Sequence, residues 1–252
     1  MAFSIDLQGR RALVTGGGQG VGRGVAMMLA TAGAYVVVND YVPERAQSVV
    51  DEIVAQGGAA SAQPFDVTDW AAVSEGMAQA GAVDILVNNA GNAGPGGWTG
   101  DGPFADSDPA DWEAFLRVNL YGVMHGTRAV LPGMIERQWG RVITVVSDAG
   151  RVGELNMAAY GAAKAGAAGF SRGVAREVGR HGITVNNIAL GTMRAAGAPE
   201  EPANSPRMKR YIVRRLGEPD DVAGMVLYLA SPLSSWVTGQ TYPVNGGYSF
   251  SL

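Results

Sequence analysis

Short apolar, β-branched runs alternate along this chain with longer stretches in which apolar residues recur every three or four positions. Arg11–Thr15, Tyr35–Asn39, Val83–Val87, Val142–Val146 and Ile183–Ile188 read as strands. Their runs are nearly continuous rather than alternating, which fits strands buried on both faces of a parallel sheet. Helical patterns cover roughly residues 20–32, 43–56, 69–80, 109–137, 157–180 and 219–230. The alternation predicts a doubly wound α/β sheet with right-handed crossovers and helices on both faces. Two segments break the rhythm. Asn92–Ser107 is rich in Gly and Asp, and Met193–Pro206 in Ala, Pro and Glu. Long loops at strand ends of such sheets often face a ligand.

Composition narrows this picture. A length of 252 residues suits one domain spanning 1–252, and with 47% hydrophobic and 17% charged residues a large core is available. A net charge of -4 gives no electrostatic footprint for nucleic acid. The absence of cysteine excludes disulfides, thiolate metal sites and cysteine catalysis. His125 and His181 lie far apart with no motif around either, so no metal site is expected. The first ten residues lack the basic and apolar regions of a signal peptide, and no stretch approaches about 18 uninterrupted apolar residues. The expectation is a soluble, cytoplasmic protein without a membrane partner.

Thr15-Gly16-Gly17-Gly18-Gln19-Gly20-Val21-Gly22 follows the first strand and opens the first helix. In that position glycines let the backbone approach a pyrophosphate, while the helix N-terminus offers unpaired N–H donors. Gly16, Gln19, Gly20, Val21 and Gly22 are therefore candidate cofactor contacts. The spacing, Gly-x-x-x-Gly-x-Gly, differs from the commonest dinucleotide fingerprint. Asp40 ends the second strand. A carboxylate there can accept from both adenosine-ribose hydroxyls and repel a 2′-phosphate, which favours NAD over NADP. No Arg or Lys lies between Thr15 and Gly22; Arg23 and Arg45 are nearby, but Arg23 falls inside the helix.

Tyr160 and Lys164 stand one helical turn apart on one face, thirteen residues after Ser147. An ammonium beside a phenol favours the phenolate and predicts a tyrosine pKa below its ordinary value of about 10. Tyr160 would then give or take a proton near neutral pH. Many ordinary helices carry Tyr and Lys at this spacing, so the pair gains weight only beside the glycine loop and Ser147.

Taken together, Thr15–Gly22, Asp66-Val67, Asn88-Asn89-Ala90-Gly91, Asn119, Ser147, Tyr160-x-x-x-Lys164 and Val244-Asn245-Gly246-Gly247 resemble a classical short-chain dehydrogenase/reductase, in order and separation, over nearly the whole chain. The resemblance implies a Rossmann-type parallel sheet of seven strands and often a homotetramer. It implies that Asp66 and Val67 meet the adenine, that Asn88–Gly91 supports the central strand with Asn89, Ala90 and Gly91 lining the cofactor, and that Gly191 and Thr192 contact the carboxamide. It makes Tyr160 the proton donor and acceptor, Lys164 its partner and a holder of the nicotinamide ribose, Ser147 the residue facing the substrate oxygen, and Asn119 the holder of a relay water. Two departures stand out. Leu190 occupies the usual place of a proline, which leaves the turn beside the nicotinamide open, and Asn245 replaces a more usual aspartate with no evident chemical consequence.

The substrate is less legible. Trp98, Phe104, Leu155, Met157 and Met193 suggest apolar pocket surface. The segment about 192–215 is the expected substrate loop, and Arg207, Lys209, Arg210, Arg214 and Arg215 make up five of the chain's 19 basic residues. Such a cluster could hold the phosphates of coenzyme A or form a solvated face. The leading expectation is an NAD-dependent dehydrogenase of a 3-hydroxyacyl thioester, reversible as a 3-oxoacyl reductase. A dehydrogenase of a free polyol, sugar or steroid alcohol, and a non-catalytic NAD-binding scaffold, are the alternatives.

Overall fold

The computed structural model describes residues 5–91, 103–195 and 197–250. Seven strands form one parallel sheet: β1 (Arg11–Val14), β2 (Tyr35–Val38), β3 (Ala59–Ala62), β4 (Ile85–Asn88), β5 (Gly140–Ser147), β6 (Ile183–Leu190) and β7 (Thr241–Val244), in the spatial order β3-β2-β1-β4-β5-β6-β7. The order reverses direction beside β1, so a crevice opens between the C-terminal ends of β1 and β4. Eight α-helices accompany the strands: α1 (Gly20–Thr31), α2 (Pro43–Ala55), α3 (Trp70–Ala80), α4 (Pro109–Leu116), α5 (Gly122–Glu136), α6 (Ala149–Val152), α7 (Ala158–Val178) and α8 (Pro219–Ala230).

Strand residues alternate between two cores. Val36 and Val38 face Val25 and Leu29 of α1, Ile53 of α2 and Leu229 of α8, whereas Val37 between them faces the opposite layer. There Val73 of α3, Met134 of α5 and Val178 of α7 cover Leu13, Leu86, Val142 and Val185. Each such side chain, fully buried, contributes about 1.5–3 kcal/mol.

β3 and β7 fall where the sequence pattern raised no expectation. Ala59–Ala62 has little β propensity, and Pro243 in β7 lacks an N–H, which only an edge strand tolerates. The expected helix over 109–137 is interrupted by a π-helical segment at Arg117–Tyr121, so the helix gains a wide turn at Asn119. Among the described residues no helix is long and apolar enough to cross a membrane.

Residues 193–217 leave the sheet as a long excursion with a tied neck. Arg194 N donates to the Gly217 carbonyl at 2.8 Å, Gly217 N donates to that of Thr192 at 3.0 Å, and an Arg194–Glu218 ion pair flanks them. At α7, Gly161 lies so near α6 that an added Cβ would sit 2.9 Å from the Ala149 carbonyl oxygen. The small residue there serves a contact within the chain.

Candidate active site

One cleft of about 950 Å³ runs along the C-terminal ends of the strands. Its floor is the glycine loop. Gly16 and Gly20 adopt left-handed φ values of 60° and 53°. A Cβ on Gly22 would stand 2.1 Å from the Gly16 carbonyl oxygen, so the first turn of α1 packs directly on the loop. A Cβ on Gly20 would meet nothing within 4 Å, which leaves open space above the helix N-terminus. Asn89 ties the loop down, its Nδ2 donating to the carbonyls of Thr15 and Gly16, each at 3.0 Å. Thr15 Oγ1 in turn accepts from the backbone N–H groups of Asn89 and Ala90. Gln19, Val21 and Gly91 line the same region.

At one end of the cleft lies Asp40, 3% exposed. Its two oxygens accept from Gly18 N at 3.2 Å and Val42 N at 3.1 Å, so its orientation is fixed from two sides. Asn39, buried beside it, donates instead to the carbonyls of Gln63 and Phe65 and holds the strand ends together. Asp66 and Val67 border this end, with Arg45, the nearby cation noted in the sequence, and Tyr41, which no motif had singled out.

At the other end, Ser147 closes β5, and Tyr160 and Lys164 descend from α7 onto it. The Tyr160 hydroxyl is hydrogen-bonded to Ser147. Lys164 is buried and its Nζ donates to the Val145 carbonyl at 2.9 Å. Asn119, fully buried in the π-helical turn, donates from Nδ2 to the Phe115 carbonyl at 2.9 Å. Its Oδ1 and the Lys164 Nζ each lie 3.2 Å from where a Gly91 Cβ would be. Asn119 and Lys164 therefore meet beside Gly91, while Tyr160 and Ser147 are joined to each other and line the cleft with Lys164; Asn119 is not part of the cleft lining. Gly191 and Thr192 border the same end, with the Thr192 hydroxyl accepting from Tyr211 at 2.7 Å.

The electrostatics correct the expected tyrosine shift. Burial pushes the Tyr160 phenol up, partly offset by the Ser147 hydrogen bond, rather than Lys164 pulling it down. Burial also lowers Lys164, to about 8. The ammonium is aimed at the Val145 carbonyl, 5.9 Å from the centre of the Tyr160 ring, so desolvation outweighs its attraction for a phenolate.

The pocket residues expected from sequence divide. Met157 and Met193 line the cleft, Leu155 is 85% exposed, Phe104 stacks on Trp112, and Trp98 lies outside the described residues. Of the basic cluster, Arg207 and Arg210 reach the cleft. Each is already paired, Arg207 with Glu201 and Arg210 with Glu154, while Arg215 grips Asp221 away from it. Glu154, Tyr211 and Tyr248 complete the wall and carried no recognisable sequence signal, because their partners are distant in the chain.

Residues 10–205 match the short chain dehydrogenase family, and this protein belongs to it. It is an oxidoreductase of a family that binds a nicotinamide cofactor. It is 38% identical over 251 residues to a 7alpha-hydroxysteroid dehydrogenase of Escherichia coli (strain K12), covering 97% of this chain and 96% of that one. An acetoacetyl-CoA reductase of Shinella zoogloeoides is 37% identical over 96% of this chain and 99% of its own length. Among solved structures, a gluconate 5-dehydrogenase from Burkholderia cenocepacia in complex with NADP and tartrate superposes with a TM-score of 0.88 at 35% identity, covering 98% of each chain.

Proposed function

We propose that this protein interconverts a secondary hydroxyl and a ketone with NAD(H), on a 3-hydroxyacyl/3-oxoacyl thioester. The observation that carries the chemistry is the Tyr160–Ser147 hydrogen bond beside buried Lys164, at the end of the cleft opposite Asp40. The glycine cradle and the open space over Gly20 fit a dinucleotide, which when bound supplies the hydride donor or acceptor. Tyr160 takes the hydroxyl proton in oxidation and returns it in reduction. Ser147 donates to the substrate oxygen as charge develops there. Lys164 holds the nicotinamide ribose, and Asn119 fixes a water behind it. Gly191 and Thr192 hold the carboxamide, while Asp66 and Val67 flank the adenine.

Asp40 supports NAD. Its carboxylate cannot swing aside from a 2′-phosphate without giving up two backbone donors. Arg207 and Arg210 on the cleft wall support the thioester, as groups that could meet coenzyme A phosphates. A second reading, a free secondary alcohol or hydroxy acid, is favoured by their existing pairs with Glu201 and Glu154, which a phosphate would have to displace. The single domain and the homotetramer implied by the resemblance belong to the same proposal, the assembly being open to light scattering.

The test is reduction of NAD⁺ and NADP⁺ followed at 340 nm over 3-hydroxyacyl-CoA esters and free secondary alcohols. NAD-preferring turnover of the esters is expected. It should rise with pH in the oxidising direction, because the raised Tyr160 pKa makes the phenolate scarce near neutrality. Tyr160→Phe should lower kcat by about 10²–10⁴-fold. Turnover confined to free alcohols would discard the thioester reading. Tight NAD binding with no turnover of any alcohol would point to a scaffold.

A further inference from the structure

The two places where the chain departs from its family resemblance, Leu190 and Asn245, meet in the fold. Leu190 pairs with Val244 across β6 and β7, and a Cβ on Gly191 would lie only 3.1 Å from the Asn245 Cα. From there the Asn245 amide reaches Asp148, the residue after Ser147. Asp148 is 3% exposed. One of its oxygens accepts from Asn245 Nδ2 at 2.6 Å and Ser249 Oγ at 2.9 Å, and the other from Arg151 at 2.6 Å. Arg151 continues to Ser249 Oγ and the Phe250 carbonyl, and the backbone N–H of Asp148 donates to the Leu190 carbonyl at 3.0 Å. A carboxylate this buried is stable only when paired and hydrogen-bonded. An aspartate at 245 would set a second carboxylate against it at hydrogen-bonding distance, so the amide at 245 is matched to Asp148 rather than being a neutral replacement.

We propose that Asp148 is a positioning residue of the substrate pocket, with Asn245 as its matched partner. Together they pin residues 245–250 across the ends of β5 and β6. That holds Tyr248, whose hydroxyl donates to Glu154 at 2.8 Å, in the wall of the cleft that Ser147 also lines. The proposal rests on the dehydrogenase reading of this cleft. It assigns the pair to substrate binding, because its side-chain hydrogen bonds run to Arg151 and the 245–250 segment, and its one approach to a proposed cofactor contact is the packing of Asn245 on Gly191.

The experiment compares Asn245→Asp, Asp148→Asn and the reciprocal double variant. It measures substrate KM and kcat, NAD affinity by fluorescence titration, and hydrogen–deuterium exchange of residues 245–250. Asn245→Asp should raise KM about tenfold and speed exchange of that segment, with NAD affinity unchanged within about twofold, and the double variant should regain most of the loss. Additive single effects, or NAD affinity falling in step with KM, would overturn the assignment. Should Asn245→Asp fail to fold, recovery of a folded protein in the double variant supports the pairing, and failure there too overturns it. If the wild type turns over none of the alcohols, the functional reading fails while the exchange data still decide whether the pair pins the tail.

Discussion

The two ends of the cleft are built differently. Around the glycine loop and Asp40, most of the contacts are backbone groups or side chains held by backbone groups: Gly22 on Gly16, Asp40 on Gly18 and Val42, Asn89 on Thr15 and Gly16. Around Glu154, Arg210 and Tyr248, side chain meets side chain, and each comes from a different part of the sequence. Backbone geometry tolerates almost no change of residue. Side-chain pairs can be re-chosen one at a time, so the wall around Glu154, Arg210 and Tyr248 has more room to vary than the glycine loop.

The sharpest way to break this contrast is at Gly22. Its missing Cβ would stand 2.1 Å from a backbone oxygen that cannot yield alone. Gly22→Ala should weaken nicotinamide-cofactor binding by about a hundredfold in a fluorescence titration, and near-normal affinity would show the loop to be softer than described. Lys164 stands between the two ends. The unfolded chain takes up this proton at 10.5 and the folded chain only near 8, so the part of the stability tied to Lys164 is full above 10.5 and declines as pH falls to 8. That decline is on the order of 3 kcal/mol. Lys164→Met should remove the rise in stability between about pH 8 and 10 in a denaturation series and stabilise the protein by about 1–3 kcal/mol at neutrality, while turnover is lost. A retained slope would assign it to another group. The smallest effect is expected at the substrate end. Arg210→Ala should leave stability within about 1 kcal/mol and change KM for an acyl-CoA about three- to tenfold. A free alcohol should be nearly unaffected, and equal effects on both would erase the distinction drawn at this wall.

What the sequence made legible follows the same division. The buried strands β1, β2, β4, β5 and β6 announced themselves by continuous apolar runs, and the glycine loop by its place between strand and helix. β3 and β7 did not, since Ala60 and Ser61 carry little β signal and Pro243 argues against a strand unless it lies at an edge. That Tyr160 and Lys164 share one helix face was readable from their spacing, whereas Ser147 beside them was an expectation of the family resemblance. The direction of the Tyr160 shift was not, because it depends on how deeply the phenol is buried and where the ammonium points. The Asp148–Asn245 contact joins residues 97 positions apart, and local pattern carries no trace of such a pairing.

The tied neck of residues 193–217 has a further consequence. Two backbone hydrogen bonds, between Arg194 and Gly217 and between Gly217 and Thr192, close the excursion where it leaves and rejoins the sheet. Between those posts the segment is laced back onto the body of the protein, by Tyr211 to the Thr192 hydroxyl, by Arg210 to Glu154 and by Val213 N to the Gly246 carbonyl. A closed neck shields the register of β6 and the start of α8 from changes within the excursion, while these cross-ties make any exchange of it a matter of matching Thr192, Glu154 and Gly246 as well.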